Sequence, residues 1–160
     1  MSRLFAVYIT LALMPIRPPE FDSAAEVLAP HLAGLPPKIV AVDGRAGSGK
    51  TTFSRFLSWY FNSSLIELDL YLKEGGLVHR TDDVKRLVEH RLSLGRPVIV
   101  EGLMVLSVLR DIGRTADYLV YVINAKHPMG LGFGKELDAY DQEFHPLSDA
   151  AHVLRVQQDG

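Results

Sequence analysis

The stretch "KIVAVDGRAGSGKTTF", Lys38–Phe53, decides how the rest of the chain is read. Lys38–Val42 is a short apolar run rich in β-branched residues, the mark of a strand buried on both faces. Gly44–Thr51 follows and satisfies G-x-x-x-x-G-K-[ST] at every fixed position. Gly49–Phe61 then carries Phe53, Phe56, Leu57 and Tyr60 on one helical face. A triphosphate needs several backbone N–H groups aimed at one point, and Gly44, Gly47 and Gly49 permit that curl and a close approach. Lys50 supplies an ammonium for the β- and γ-phosphates, and the Thr51 hydroxyl is a ligand for Mg²⁺. The helix that follows points its positive end at the same anion. The candidate nucleotide contacts are Gly44, Arg45, Ala46, Gly47, Ser48, Gly49, Lys50, Thr51 and Thr52, with ATP and Mg²⁺ as the expected cofactors.

Outward from this loop, strands and helices alternate. Glu20–Ala33 has helical spacing, interrupted by Pro30 and closed by Gly34 with Pro36 and Pro37. Ser64–Leu68, Pro97–Val100, Asp117–Ile123 and His152–Gln157 read as further strands. Thr81 or Asp82 is the expected cap of a helix running to Leu94, with Val84, Leu87, Val88 and Leu92 inward; Gly95 ends it and Pro97 prevents its resumption. Asp82 and Asp83 read as charges at that helix's N-terminus. The alternation predicts an α/β fold, a parallel sheet with helices on both faces.

The 160 residues suffice for one domain with a real core. Net charge is −2, so nothing pulls the chain toward nucleic acid or an anionic membrane. The chain has no cysteine, which removes disulfides, thiolate metal sites and a cysteine nucleophile and fits a cytoplasmic setting. Its six histidines are scattered without zinc-ligand spacing. "RLFAVYITLALM", Arg3–Met14, is apolar but shorter than the roughly 20 residues of a bilayer-spanning helix, and no A-x-A-like cleavage site follows. Residues 1–19 are expected to be an arm or extra strand, or an overextended start, and residues 20–160 a single domain.

"VDGRAGSGKTTF" resembles the phosphate loop of the uridine kinase family of P-loop kinases, which includes pantothenate kinase and phosphoribulokinase. "ELDLYL" (Glu67–Leu72) is similar to that family's acid-x-aromatic motif after the second strand, and "RPVIVEGLMVL" (Arg96–Leu106) to its strand ending in Glu-Gly. The resemblance spans about Lys38 to Ile123. It implies a three-layer fold with a five-stranded parallel sheet in the order 2-3-1-4-5 and a short lid over about residues 124–145. It also implies that Asp69 faces the acceptor hydroxyl as a catalytic base alongside Lys50, and that Tyr71, His79 and Arg80 belong to the acceptor pocket. From the residues alone, Asp69 could equally cap the next segment, Tyr71 could be core, and His79 and Arg80 a solvated loop. Glu101 ends an apolar strand, where a buried carboxylate needs a partner: Mg²⁺ beside Thr51, a substrate hydroxyl, or an ion pair with Arg96.

The chain departs from the family in one respect. Relatives usually carry lid arginines after the fourth strand, and Thr115–Leu154 contains none. Gly130, Gly132 and Gly134 suggest a mobile loop, with Lys135 either a substitute cation or solvated, and Arg45 or Arg155 as other compensating cations. Two functions remain. One is a small-molecule kinase moving the γ-phosphoryl of Mg·ATP to a hydroxyl of a nucleoside- or vitamin-like acceptor. The other is a nucleotide-binding module without phosphotransfer. A plain NTPase lacks its long apolar strand ending in Asp-Glu.

Overall fold

The computed structural model describes residues 18–157, so nearly all of the expected N-terminal arm lies outside the described residues. Among the described residues five strands form: β1 (Ile39–Asp43), β2 (Ser64–Glu67), β3 (Val98–Glu101), β4 (Tyr118–Asn124) and β5 (His152–Val156). All pairings are parallel and the order is β2-β3-β1-β4-β5, as the resemblance implies.

Period-2 alternation splits each central strand between two cores. Val40 and Val42 of β1, Ile99 of β3 and Val120 and Val122 of β4 face one cluster. Ile39 and Ala41, Val98 and Val100, and Leu119 face the other. The first cluster is covered by α1 (Glu20–Leu32) through Phe21, Ala25 and Leu28, and by α2 (Lys50–Tyr60) through Phe53 and Leu57. The second is covered by α3 (Thr81–Ser93) through Val84 and Val88, and by α4 (Val105–Asp111) through Val108 and Leu109. Central strands with both faces covered are therefore apolar throughout, which explains why they read as unbroken runs. The chain closes with α5 (Gly134–Phe144), a single turn α6 (Pro146–Asp149) and β5.

Two local readings are corrected, and one element is new. Pro30 does not interrupt α1, which continues to Leu32; Leu28 and Leu32 are buried beside Leu154 and Val156 of β5, and this packing offsets the hydrogen bond that Pro30 cannot donate. α3 has no side-chain cap: Arg80 holds the cap position, its N–H donating to the Tyr71 carbonyl at 2.7 Å, and Thr81, Asp82 and Asp83 lie within the first turn. α4, of seven residues, was too short to announce itself by periodicity. Gly95 does end α3, with φ +67° and its N–H on the Leu92 carbonyl.

Candidate active site

The C-terminal ends of β1, β2 and β3 share one edge of the sheet. Val42 and Glu67 are both in register with Glu101, and the phosphate loop leaves β1 one residue further on. Gly44 has φ +153°, and a Cβ there would stand 2.5 Å from the Val122 carbonyl oxygen and 2.7 Å from Ser48 Oγ. Since the nearest obstacle is backbone of a neighbouring strand, Gly44→Ala must move the loop. Its expected cost is about 1–3 kcal/mol, read as a lowered thermal midpoint together with weakened nucleotide binding.

Gly49 holds the N-cap position of α2, and no acidic side chain sits in that helix's first turn to compete with an anion. Lys50 is buried, with Nζ 3.4 Å from the Arg45 carbonyl oxygen. Thr51 Oγ1 donates to Glu101 Oε1 at 3.1 Å. Glu101 is fully buried and its Oε2 has no hydrogen-bond partner among the described residues, where no ion pair to Arg96 forms either. Burial pushes its carboxyl up to about 7, against the opposing pull of Lys50 and the Thr51 hydroxyl. A hydroxyl and an orphaned carboxylate oxygen on adjoining elements are the donor set a hard divalent cation takes, so Thr51 and Glu101 fit Mg²⁺.

A second buried carboxylate escaped the sequence reading. Asp43 ends β1, accepts hydrogen bonds from Gly44 N–H at 2.7 Å and Tyr140 Oη at 2.5 Å, and is pushed up to about 7 by burial. Its signal was present, a carboxylate ending an apolar strand as at Glu101, but it was absorbed into the loop motif. The folded-state value lies above the unfolded value of 3.8, so the folded state holds the extra proton. The nucleotide-free protein is thus expected to lose stability as pH rises from about 4 through 7, by on the order of 4 kcal/mol from this group. Asp43→Asn should flatten that part of a denaturation-against-pH profile.

Asp69 lies in the 3₁₀ turn Leu68–Tyr71 directly after β2 and is exposed. It opens onto a cavity of about 480 Å³ whose walls include Lys50, Thr51, Leu77, Leu103 and Phe133. A cavity of similar size, about 500 Å³, opens among Pro37, Ile39 and Asp117 at the opposite edge of the sheet, away from the loop. The chain after Asp69 folds back on itself: Leu72 bridges His79, and Lys73 N–H donates to the Val78 carbonyl at 2.8 Å. This hairpin fixes Tyr71, His79 and Arg80. Tyr71 packs partly into the second core. Arg80 sits over the Tyr71 ring, 5.7 Å from its centroid, and donates to the Leu70 carbonyl at 2.8 Å. His79 is buried with Nε2 unpartnered, and burial lowers its pKa against the opposing charge of Asp69. His79 lines a separate recess of about 350 Å³ with Lys73 and Ser107.

The segment between β4 and β5 is fastened to the phosphate loop. Asn124 Nδ2 donates to the Gly47 carbonyl at 3.3 Å, and Leu131 N–H to the Ala46 carbonyl at 3.0 Å. Leu131 lies so close over Gly47 that a Cβ there would stand 2.6 Å from Leu131 Cδ1. Arg45 is nearly buried and bonds Asp138 at 2.7 Å and Asp141 at 2.5 Å on α5. The guanidinium considered as a stand-in for lid arginines is thereby committed to α5. Lys135 and Arg155 are exposed.

No protein-family model matches the chain, and no curated protein sequence matches it. Among solved structures, it is similar to a possible uridine kinase from Bacillus stearothermophilus: 14% identity, TM-score 0.59, 84% of this chain and 99% of that one. The likeness is one of fold, an α/β architecture around a five-stranded parallel sheet. A shikimate kinase from Acinetobacter baumannii, in complex with shikimate, aligns over 82% of this chain and 89% of its own, with 15% identity and a TM-score of 0.47. Among the described residues no helix is long and apolar enough to cross a membrane.

Proposed function

We propose that this protein is an ATP-dependent small-molecule kinase that passes the γ-phosphoryl of Mg·ATP to an acceptor hydroxyl. The observation behind this reading is a cavity whose walls hold Lys50 and Thr51 of the phosphate loop together with Asp69. The loop's backbone N–H groups and the α2 N-terminus bind the phosphates, and Lys50 neutralises charge on the transferring group. Asp69 orients the acceptor hydroxyl and takes its proton as the new O–P bond forms, while the bond to the β-phosphate oxygen breaks and ADP leaves. Mg²⁺, held by Thr51 and Glu101, would supply further neutralisation of phosphate charge.

The competing reading is a nucleotide-binding module without transfer, favoured by the absence of arginine from Thr115–Leu154 and by the commitment of Arg45 to α5. ADP release from Mg·ATP across an acceptor panel, with Lys50→Ala as control, separates the two. Acceptor-dependent release that the control lacks supports the kinase. Nucleotide binding with no release from any acceptor supports the module.

A further inference from the structure

The acceptor half of the cavity is apolar. Beyond the phosphate loop its walls are Asp69, Leu72, Gly76, Leu77, Leu103 and Phe133. Among the lining residues only Lys50 and Asp69 carry charge, and both serve the transfer step. The cations nearest in sequence are directed elsewhere. Arg80 is held by the Leu70 carbonyl and the Tyr71 ring, while Lys73 and His79 line the neighbouring recess, which shares only Leu77 with the cavity. A phosphate or carboxylate on the acceptor would therefore enter without a counter-charge, and one dense in hydroxyls would leave them facing leucines, each a desolvation cost without return.

Phe133 adds a second, independent observation. Its backbone sits at φ +55°, a conformation unfavourable for an aromatic residue. It is pinned from both sides, by Leu131 N–H on the Ala46 carbonyl and by Leu137 N–H on its own carbonyl, each at 3.0 Å. The ring is half exposed and forms part of the cavity wall. Strain maintained by surrounding contacts is characteristic of binding sites, and here it holds a large apolar face against the cavity rather than in the core.

We propose that the acceptor is an uncharged alcohol with a compact apolar body, aromatic or alicyclic, whose hydroxyl meets Asp69 while its skeleton packs on Leu72, Leu77, Leu103 and Phe133. This rests on the kinase reading for the word acceptor, but the cavity's preference is measurable without turnover. The probes are three sets: benzyl alcohol, 2-phenylethanol and cyclohexylmethanol; uridine and glycerol; glycerol phosphate and pantothenate. Each is titrated calorimetrically into protein loaded with Mg²⁺ and a non-hydrolysable ATP analogue, and ADP release with ATP is followed separately.

The apolar set is expected to bind at least about tenfold more tightly than the other two. Phe133→Ala should weaken it about tenfold, and Leu77→Lys should move the preference toward the anionic set. Both variants should keep nucleotide affinity, which reports that they are folded. No saturable binding by the apolar set, tighter binding by either polar set, or indifference of the apolar set to both substitutions overturns the inference. Apolar alcohols that bind while none of the three sets elicits ADP release overturn the kinase reading and leave the cavity's preference standing. Turnover confined to a polar set does the reverse.

Discussion

On the proposed function, Asp69→Asn is expected to lower acceptor phosphorylation by about 10²–10⁴-fold and to leave nucleotide affinity unchanged. The amide matches the carboxylate in shape and retains an oxygen that can orient the hydroxyl, so what is lost is the acceptance of a proton. Asp69 is exposed at the cavity rather than built into the phosphate loop, and neither of the cores depends on it. Stability should therefore match the parent. The measurement is single-turnover transfer alongside a nucleotide titration on the same preparation. Full activity of Asp69→Asn would remove Asp69 from the role of base.

Lys50→Ala is expected to lower turnover by on the order of 10³-fold or more, since charge developing on the transferring group would lose its buried ammonium. Unlike the change at Asp69, it acts on binding as well. The ammonium lies beside two carboxylates, Asp43 and Glu101, and its field favours their ionised forms against burial. Without it both carboxyls rise further and their titration moves toward higher pH, so an assay at pH 8 and one at pH 6 should differ less in the variant than in the parent. Nucleotide affinity and the pH profile of transfer, taken together, check this. Unchanged transfer would separate Lys50 from the phosphates altogether.

The sheet was legible in the sequence because the physics that buries it is local. Strands covered on both faces must be apolar at every position, as in Val98–Val100 and Tyr118–Ile123, and such runs announce themselves. The candidate phosphate loop stands out in the sequence because the motif's demands on glycine, lysine and threonine fall within eight consecutive residues. What stayed hidden depends on residues far apart in the chain. Tyr140 reaches Asp43 across 97 positions and Asp138 reaches Arg45 across 93, and no spacing rule joins them. Phe133 is one aromatic in a glycine-rich stretch until its strained backbone places it on the cavity wall. Pro30 misled for a related reason: its local penalty is real, but burial of Leu28 and Leu32 outweighs it, and that burial is a tertiary fact.

The strand order also governs when the nucleotide site comes into being. β1 carries the phosphate loop and is early in the chain, yet its partners are β3 and β4, some sixty to eighty residues further on. Hairpin pairing cannot substitute, because every contact β1 makes in the sheet is parallel and long-range. Such pairings are slow to form, since loop closure precedes the contacts that reward it. During synthesis Gly44–Thr51 is made early but stays without its flanking strands until β4 has been made. On the proposed function, the capacity to hold a triphosphate is thus acquired late and with the whole sheet, so a bound nucleotide would stabilise only finished molecules by mass action.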